Sequence, residues 1–319
     1  MLTNKTNLSM SLAVALSYND YDYINEPNYI SATGLLKPIK SIILTTRIKQ
    51  SKEADVQDMV ASVLGSSFHA RAEQAFLPQN LPKVLKQLGY NENIISRIKV
   101  NPKDPHEADL PIYMEKRTIK DIAGYSIGGK MDFVNVDGAV EDFKTTKTFS
   151  WVKQDFQDYI VQLSIYKWLN QDIITQDYGV INFIFTDWKQ YEANANPNYP
   201  QHSALSHTIK LLSNEETQTW LETKLAQITL YMDSDENSIP ECNSKELWRD
   251  ETKFAFYSKP DSKRATKVST DQALINQLYI DKGSVGKVET RLGKVKRCTY
   301  CQAAEVCLQH LSYISQELV

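Results

Sequence analysis

Two short stretches in the middle of the chain hold the residue types that metal-dependent phosphodiester hydrolysis needs. Asp132 lies in one predicted strand, and Asp142 and Lys144 lie in the next, across a short hairpin. Paired carboxylates bind hard divalent cations through oxygen, and a lysine beside them reaches a water nucleophile or a scissile phosphate. Because side chains alternate along a strand, Asp142 and Lys144 share one face. A lone Asp-x-Lys is commoner as surface charge on a half-buried strand, so the flanking elements must support a catalytic interpretation.

The predicted helices on either side carry polar residues one helical turn apart. His69 and Glu73 lie on one face of the preceding helix, where a neutral imidazole could complete a carboxylate metal site. A single helical histidine is nevertheless more often structural. Gln162 and Tyr166 have the same spacing in the following helix. They could contact a phosphate or a base, or cap the edge of the core.

The hairpin between the two strands must have a particular length if the site is to form. A two-residue turn at Asp137-Gly138 would pair Asp132 with Phe143 and send the two aspartates to opposite faces of the sheet. We therefore predict a three-residue turn or a bulge between residues 133 and 141, which brings Asp132 opposite Asp142 or Lys144.

The elements that must position these residues alternate between helix and strand. Apolar residues at helical spacing predict a helix over residues 53–76, which Pro78 ends. Further helices are predicted at 150–169 and 214–231, and strands at 111–118, 123–127, 129–136, 139–144, 178–185 and 204–212. This order indicates an α/β or α+β fold with a central mixed sheet.

Composition excludes several classes of protein. The 319 residues carry a formal charge of −3 and are 42% hydrophobic. This hydrophobic fraction is too high for a disordered protein. No apolar run approaches the ~18 residues of a membrane span. Residues 8–16 imitate a signal peptide only faintly, because two serines interrupt the stretch and no firm cleavage pattern follows, so we expect a cytoplasmic protein without a membrane partner.

The C-terminal region differs from the rest in charge and in cysteine content. Residues 259–297 hold ten lysines and arginines against four acids, an excess of six positive charges. Such a patch suits a polyanion or is simply a solvated surface. Three of the four cysteines lie in Cys298-x2-Cys301-x5-Cys307, and the fourth is Cys242. This spacing favours a metal or cluster site in a reducing compartment over a disulfide framework.

Taken in order, the motifs resemble those of the PD-(D/E)xK nuclease superfamily, in particular its RecB-like exonuclease branch, which includes AddB-type and CRISPR-associated RecB-like nucleases. The resemblance covers about residues 55–190. The branch pattern is matched by Gly65, His69 and Glu73, by Gly129 and Asp132, by Asp142, Lys144 and Thr145, and by Gln162 and Tyr166.

This resemblance implies a fold, a site and a domain organisation. The fold would be a restriction-endonuclease-like α/β core, a central mixed sheet flanked by helices, followed by a C-terminal subdomain with a Cys-ligated metal or cluster. A lead-in would span 1–52, the nuclease core 53–238, and the basic region with the cysteines 239–319. Mg²⁺ or Mn²⁺ would be bound by His69, Asp132, Asp142 and the backbone carbonyl of Phe143. Lys144, Asp142, Asp132 and Glu73 would be catalytic, and Gln162, Tyr166 and Thr145 would contact DNA.

The cysteine triplet resembles the iron–sulfur site of the same nucleases. In those families the lone cysteine precedes the nuclease motifs, whereas Cys242 follows them. An iron–sulfur cluster, with [4Fe–4S] as the first candidate, a tetrahedral Zn²⁺ site and unliganded buried thiols all remain open. Should Cys242 lie apart from the triplet, His310 is the first candidate for the missing ligand.

The function that the resemblance implies is a divalent-metal-dependent DNA nuclease. We expect an exonuclease on single strands or duplex ends in recombination, repair or phage DNA metabolism, acting with a recombination or replication protein. For a phage-encoded chain, the compartment would be the host cytoplasm. The alternatives are a site-specific or structure-specific endonuclease on the same fold, and a catalytically inactive nucleic-acid-binding scaffold.

Overall fold

The computed structural model describes residues 2–19, 21–48 and 53–319. The chain divides into two compact units. The first, here the sheet unit, comprises Met1–Leu36 and Glu53–Ala226, and the second, here the cysteine unit, comprises Lys37–Lys52 and Gln227–Val319. This division differs from the predicted boundaries, because residues 37–52 belong with the C-terminal region and the break falls at 226 instead of 238.

Short strands and helices alternate along the described residues. The strands are β1 Leu2–Thr3, β2 Tyr29–Ser31, β3 Ala54–Asp55, β4 Ile98–Val100, β5 Leu110–Ile122, β6 Tyr125–Val134, β7 Val140–Thr146, β8 Tyr178–Phe185, β9 Ala204–Lys210, β10 Lys253–Tyr257, β11 Lys267–Ser269 and β12 Lys287–Arg291. The helices are α1 Met10–Ser17, α2 Ala32–Leu35, α3 Ile39–Thr46, α4 Val60–Ala75, α5 Leu81–Gln87, α6 Glu92–Arg97, α7 Phe149–Val152, α8 Gln157–Leu169, α9 Gln190–Ala195, α10 Asn214–Tyr231, α11 Gln272–Asp281 and α12 Leu308–Ser315.

A seven-stranded mixed sheet flanked by helices organises the sheet unit, which confirms the predicted fold class. Its strand order is β4-β5-β6-β7-β8-β9, and β2 also pairs with β6. The pairs β4–β5, β7–β8 and β2–β6 are parallel, and the others are antiparallel. The predicted lead-in therefore contributes a strand, β2, to the central sheet.

The hairpin between β5 and β6 differs from the predicted break. A two-residue turn at Ala123 and Gly124, with φ of 51° and 80°, joins Ile122 to Tyr125. The predicted start of this strand at residue 123 is therefore wrong, because β6 begins at Tyr125. Positive φ at both central residues is typical of the type I′ turn, whose twist matches that of the flanking strands.

The hairpin between β6 and β7 has the predicted three-residue turn. Phe133 pairs with Glu141, and the Ala139 carbonyl accepts a 3.0 Å hydrogen bond from the Asn135 amide, which leaves residues 136–138 as the loop. Gly138 has a φ of 82°, as expected of a type I turn followed by a left-handed glycine. One step further along the two strands, Asp132 lies level with Asp142.

The crossover from β7 to the parallel strand β8 consists of two helices instead of the single predicted helix. Gln154, with a φ of 51°, lies between α7 and α8 and interrupts the helical backbone. Helix α8 is buried along much of its length, including Leu163 and Ile165, which are fully inaccessible. The buried helix therefore places its polar residues in the interior of the sheet unit.

The cysteine unit has its own small sheet and core. Strands β11, β10 and β12 form an antiparallel sheet in that order. Separately, Ile43 and Leu44 of α3 pack with Ile239 and Ala303, which ties residues 37–48 to this unit. None of the helices in the described part of the chain is long and apolar enough to cross a membrane.

Candidate active site

Three side chains of the sheet unit bring ligand atoms together at a single point. The Nδ1 atom of His69 lies 3.6 Å from Oε1 of Glu115 and 3.6 Å from Oδ1 of Asp132. One ligand atom from each of the three residues lies within 4.8 Å of the other two. Within the described residues, no other group of three His, Cys, Asp or Glu residues meets this distance. This trio is the candidate metal site.

His69 reaches the sheet from α4, and a capping box fixes the start of the 3₁₀ turn Val56–Met59 that leads into this helix. The Asp55 side chain accepts from the Gln57 amide, and the Asp58 side chain accepts from the Asp55 amide, which satisfies amides that the helix start leaves without partners. Further along, the ring of Phe68 lies 5.4 Å from that of Phe143 on β7. This contact holds the helix so that His69, the next residue, faces the strands.

Glu115 is the member of the trio that sequence reasoning missed. On β5 it lies level with Asp132, because Met114 pairs with Phe133 and Lys116 pairs with Met131 on either side. Its φ is 50°, a conformation that costs about 1–3 kcal/mol for a residue other than glycine and that clusters at functional sites. Lys130 approaches its Oε2 to 2.5 Å. The only sign of Glu115 in the sequence was an acidic residue in the predicted strand that neighbours the strand of Asp132.

The charged groups of the trio shift one another's pKa values. The Glu115 carboxylate, with Asp132, raises the pKa of His69 despite its partial burial. Burial alone would raise the pKa of Glu115, but His69 and Lys130 outweigh it and hold that pKa below its usual value. The site therefore favours an ionised glutamate beside a protonated or metal-bound imidazole.

Asp132 is the most strongly perturbed carboxyl of the site. Burial, and then the neighbouring charge of Asp142, raise its pKa from 3.8 to about 7, although His69 and a hydrogen bond from the Phe143 amide oppose the rise. That hydrogen bond, from the backbone N–H to Oδ2, measures 2.8 Å. A carboxylate held this close to others gains most from a bound cation, which removes the cost of its negative charge.

Next to the trio, Asp142 and Lys144 form an ion pair on β7. The Lys144 Nζ lies 2.6 Å from Oδ2 of Asp142, whose side chain is 2% exposed against 25% for the lysine. The Asp142 charge raises the pKa of Lys144 and outweighs the opposing effect of burial. Lys144 therefore remains positive and reachable from solvent, whereas the Asp142 carboxylate faces the interior.

Helix α8 supplies a buried amide that connects the members of this pair. Gln162 donates from Nε2 to Oδ1 of Asp142 at 3.1 Å and accepts from Lys144 Nζ at 3.3 Å. Its amide also lies 2.9 Å from the Tyr166 hydroxyl, and burial raises the pKa of that tyrosine. Gln162 and Tyr166, predicted to contact DNA, are buried in this structure and hold Asp142 and Lys144 in place.

A glycine makes this arrangement possible. A Cβ on Gly129 of β6 would lie 2.7 Å from Cε1 of Tyr166 and 3.1 Å from Cδ1 of Leu169. Any side chain there would push α8 away from the strands. Gly129, three residues before Asp132, is therefore needed for packing.

The donor set of the trio fits a divalent cation. One imidazole nitrogen and two carboxylate oxygens suit Mg²⁺ or Mn²⁺, with other positions left for water or substrate. Asp142 is outside the trio, so its ligand role stays a prediction, as does that of the Phe143 carbonyl. Glu73 is exposed on α4 and interacts with Lys130 through charge alone, and Thr145, half-buried on β7, pairs with Ile184 of β8.

The four cysteines lie within mutual electrostatic reach in the cysteine unit. Burial raises the pKa of Cys242 to about 12, and its remaining causes include the thiols of Cys298, Cys301 and Cys307. Burial likewise raises the pKa of Cys298 to about 11. Four thiolates could not coexist here without a cationic group between them. Cys242 packs against the apolar cluster that contains Cys298, so the lone cysteine lies near the triplet, and its role as a ligand stays a prediction.

No three of these thiols lie within 4.8 Å of one another. The iron–sulfur cluster and the zinc site both stay predictions.

Comparison with known proteins finds similarity to solved structures alone. No protein-family model matches this chain, and no curated protein does. The crystal structure of SSO0001 aligns with a TM-score of 0.40 and 18% sequence identity, covering 67% of this chain and 83% of that one. A crystal structure named "Putative exonuclease", from Eubacterium rectale, aligns with a TM-score of 0.32 and 13% identity, covering 73% and 84%. At these scores neither likeness assigns a function, which depends on the site itself.

Proposed function

We propose that this chain is a divalent-metal-dependent DNA nuclease related to the RecB-like exonucleases. The observation that carries the proposal is the position of the His69, Glu115 and Asp132 ligand trio beside the ion pair of Asp142 and Lys144. Hydrolysis of a phosphodiester needs a cation site next to a positive side chain that solvent can reach. The three possible cation ligands on α4, β5 and β6 lie beside Lys144 on β7, which supports this proposal.

Each residue of the site has a role that follows from its environment. His69, Glu115 and Asp132 would hold Mg²⁺ or Mn²⁺, with Asp142 and the Phe143 carbonyl as further predicted ligands. When bound, such an ion polarises the phosphate and lowers the pKa of a coordinated water. Lys144 presents its charge to the reacting phosphate, and Gln162 fixes that lysine and Asp142 together. Tyr166 fixes Gln162 in turn.

The substrate proposed is DNA, either single-stranded or at duplex ends. The connection between β10 and β11 carries Lys259, Lys263 and Arg264, all of them exposed, within the segment that holds the excess of positive charge. Such charges bind phosphates without regard to sequence. The activity would serve recombination, repair or phage DNA metabolism in the cytoplasm, together with a recombination or replication protein.

For the cysteine site we propose a [4Fe–4S] cluster, with Zn²⁺ as the alternative. The proximity of Cys242 to the triplet supports a group that the four cysteines share. Protein purified without oxygen should be brown and absorb broadly in the visible range. Colourless protein with one equivalent of zinc would support the alternative.

Digestion of end-labelled DNA tests the proposed function. Linear and circular substrates, single-stranded and duplex, are incubated with Mg²⁺, Mn²⁺ or EDTA. We expect the linear forms to be degraded from their ends with either metal and to stay intact in EDTA. Cleavage of circular DNA into discrete products would favour an endonuclease, and binding without cleavage of any form would favour an inactive scaffold.

A further inference from the structure

One surface of the cysteine unit carries two exposed aromatic rings and a guanidinium. The rings of Trp248 and Tyr300 have centroids 6.1 Å apart, and they are 42% and 77% exposed. The guanidinium of Arg297 lies 4.9 Å from the Trp248 ring. Two large aromatic side chains that are exposed side by side, with a guanidinium against one of them, form a candidate interaction surface.

The backbone holds Trp248 in a conformation that its side chain does not favour. Its φ is 50°, which is an outlier for a bulky residue and is seen chiefly at functional sites. The segment on both sides is fixed by hydrogen bonds from the Trp248 amide to Lys245 and from the Arg297 amide to Leu247, of 3.1 and 3.0 Å. The ring is therefore presented outward by a defined turn.

A cavity of about 280 Å³ adjoins the rings. Lys37, Trp248, Arg297 and Tyr300 contribute to its wall, together with three of the cysteines. Glu246 also lines it, and its carboxylate accepts a 2.9 Å hydrogen bond from the Asn243 amide.

The combination of rings and positive charge selects the chemistry of the ligand. A cationic ligand is disfavoured, because Arg297 and Lys37 already place positive charge at this surface. An acidic peptide would pair with the cations but would leave the rings uncovered. A nucleotide uses both, since bases stack on aromatic and guanidinium planes while phosphates meet positive side chains.

We propose that Trp248, Arg297 and Tyr300 form a binding site for single-stranded DNA outside the candidate active site. Bases would stack on the two rings, and phosphates would contact Arg297 and Lys37. The choice of DNA over RNA rests on the proposed function, whereas the stacking itself does not. Arg297 directly precedes Cys298, and Tyr300 directly precedes Cys301, so the site shares its backbone with the cysteine cluster.

The test measures binding of a fluorescent oligothymidylate in EDTA, where no metal-dependent cleavage occurs. We expect Tyr300→Ala and Trp248→Asn to weaken binding about 5- to 150-fold each, the range for loss of one stacked base. Asparagine is chosen because it tolerates positive φ. Tyr300→Phe, which keeps the ring, should bind as the wild type does.

A matched control exists in the sheet unit. Tyr191 is 62% exposed and lies beside Lys189, whose Nζ is 5.7 Å from its ring, so Tyr191→Ala removes a similar aromatic and cation pair elsewhere. Its binding should be unchanged. Circular dichroism of each variant excludes loss of the fold.

The outcomes separate this proposal from the proposed function. Wild-type affinity in both Tyr300→Ala and Trp248→Asn would overturn the stacking site, even if the protein cleaves DNA. A competition experiment gives a second contrary outcome. If poly-glutamate displaces the oligonucleotide equally well from wild type and from Tyr300→Ala, binding depends on charge alone and the stacking site is overturned. Weakened binding in the variants of a protein that never cleaves DNA would support the site and refute the nuclease.

Discussion

Replacing Asp132 by asparagine probes the charge balance of the trio without any substrate. Asparagine keeps an oxygen to accept the Phe143 amide, which lies 2.8 Å from Oδ2 of Asp132, but it carries no charge. The pKa of Asp132 is raised from 3.8 to about 7, first by burial and then by Asp142. Because a raised pKa means that the folded protein binds the proton more tightly, ionisation of Asp132 destabilises the metal-free fold.

The magnitude and the pH range follow from that shift. A rise of about three units corresponds to about 4 kcal/mol at 1.36 kcal/mol per unit. This cost begins near the unfolded pKa of about 4, grows with pH, and is complete above about pH 7. The substitution also removes one of the carboxylates that raise the pKa of His69, so we expect a net gain nearer to about 2 kcal/mol for Asp132→Asn at pH 8.

Urea denaturation in EDTA at pH 5 to pH 8 measures the effect. The stability of Asp132→Asn relative to wild type should increase between pH 5 and pH 7 and then level off. Asp158→Asn, which replaces an exposed aspartate at the start of α8, should show no such trend. Addition of Mn²⁺ should stabilise wild type and leave Asp132→Asn largely unaffected. A variant less stable than wild type at pH 8 in EDTA would refute the assigned electrostatics.

Further predictions concern the ligand that sequence reasoning missed, the packing beneath the site and the cysteines. Glu115→Gln should weaken Mn²⁺ binding at least tenfold in calorimetric titration, and unchanged affinity would remove Glu115 from the ligand set. Gly129→Ala should cost about 1–3 kcal/mol in thermal unfolding, because its Cβ would meet Tyr166. By contrast, Gly65→Ala should be neutral or stabilising, since a Cβ there meets nothing within 4 Å. Cys242→Ser should abolish the visible absorbance of anaerobically purified protein and weaken oligothymidylate binding, and retention of the full absorbance would exclude Cys242 as a ligand.

The register between neighbouring strands determines the part of the site that could be predicted from the sequence. Strand alternation places Asp142 and Lys144 on one face, and the requirement that Asp132 join them demands a three-residue turn or a bulge. That turn is present, with Gly138 at positive φ. The helix carrying His69 was likewise predictable from its regular apolar spacing, but its predicted start at residue 53 is wrong. Residues 54 and 55 form β3, a 3₁₀ turn follows, and α4 begins at Val60.

Other features depend on backbone conformations that residue types do not reveal. Glu115 enters the site through a positive φ in the middle of a strand, and nothing in a run of strand-forming residues predicts such a kink. The turn at Ala123 and Gly124 was missed because the pair Gly128-Gly129 is the stronger break signal. In the structure those glycines lie inside β6, where Gly129 admits Tyr166. Tertiary packing, which a single sequence does not display, therefore determined where the turn lies and where β6 begins.

The comparison of Lys144→Ala with Lys147→Ala tests the central claim most directly. Both variants remove one lysine from the same segment, but Lys144 pairs with Asp142 at 2.6 Å whereas Lys147 is exposed. The rate of degradation of end-labelled linear DNA in Mn²⁺ is measured for each, alongside wild type and an EDTA control. The account predicts that Lys144→Ala loses at least a hundredfold in rate and that Lys147→Ala stays within about twofold of wild type. Activity of Lys144→Ala above about a tenth of wild type, or equal loss in both variants, would contradict the claim that these residues form a nuclease site.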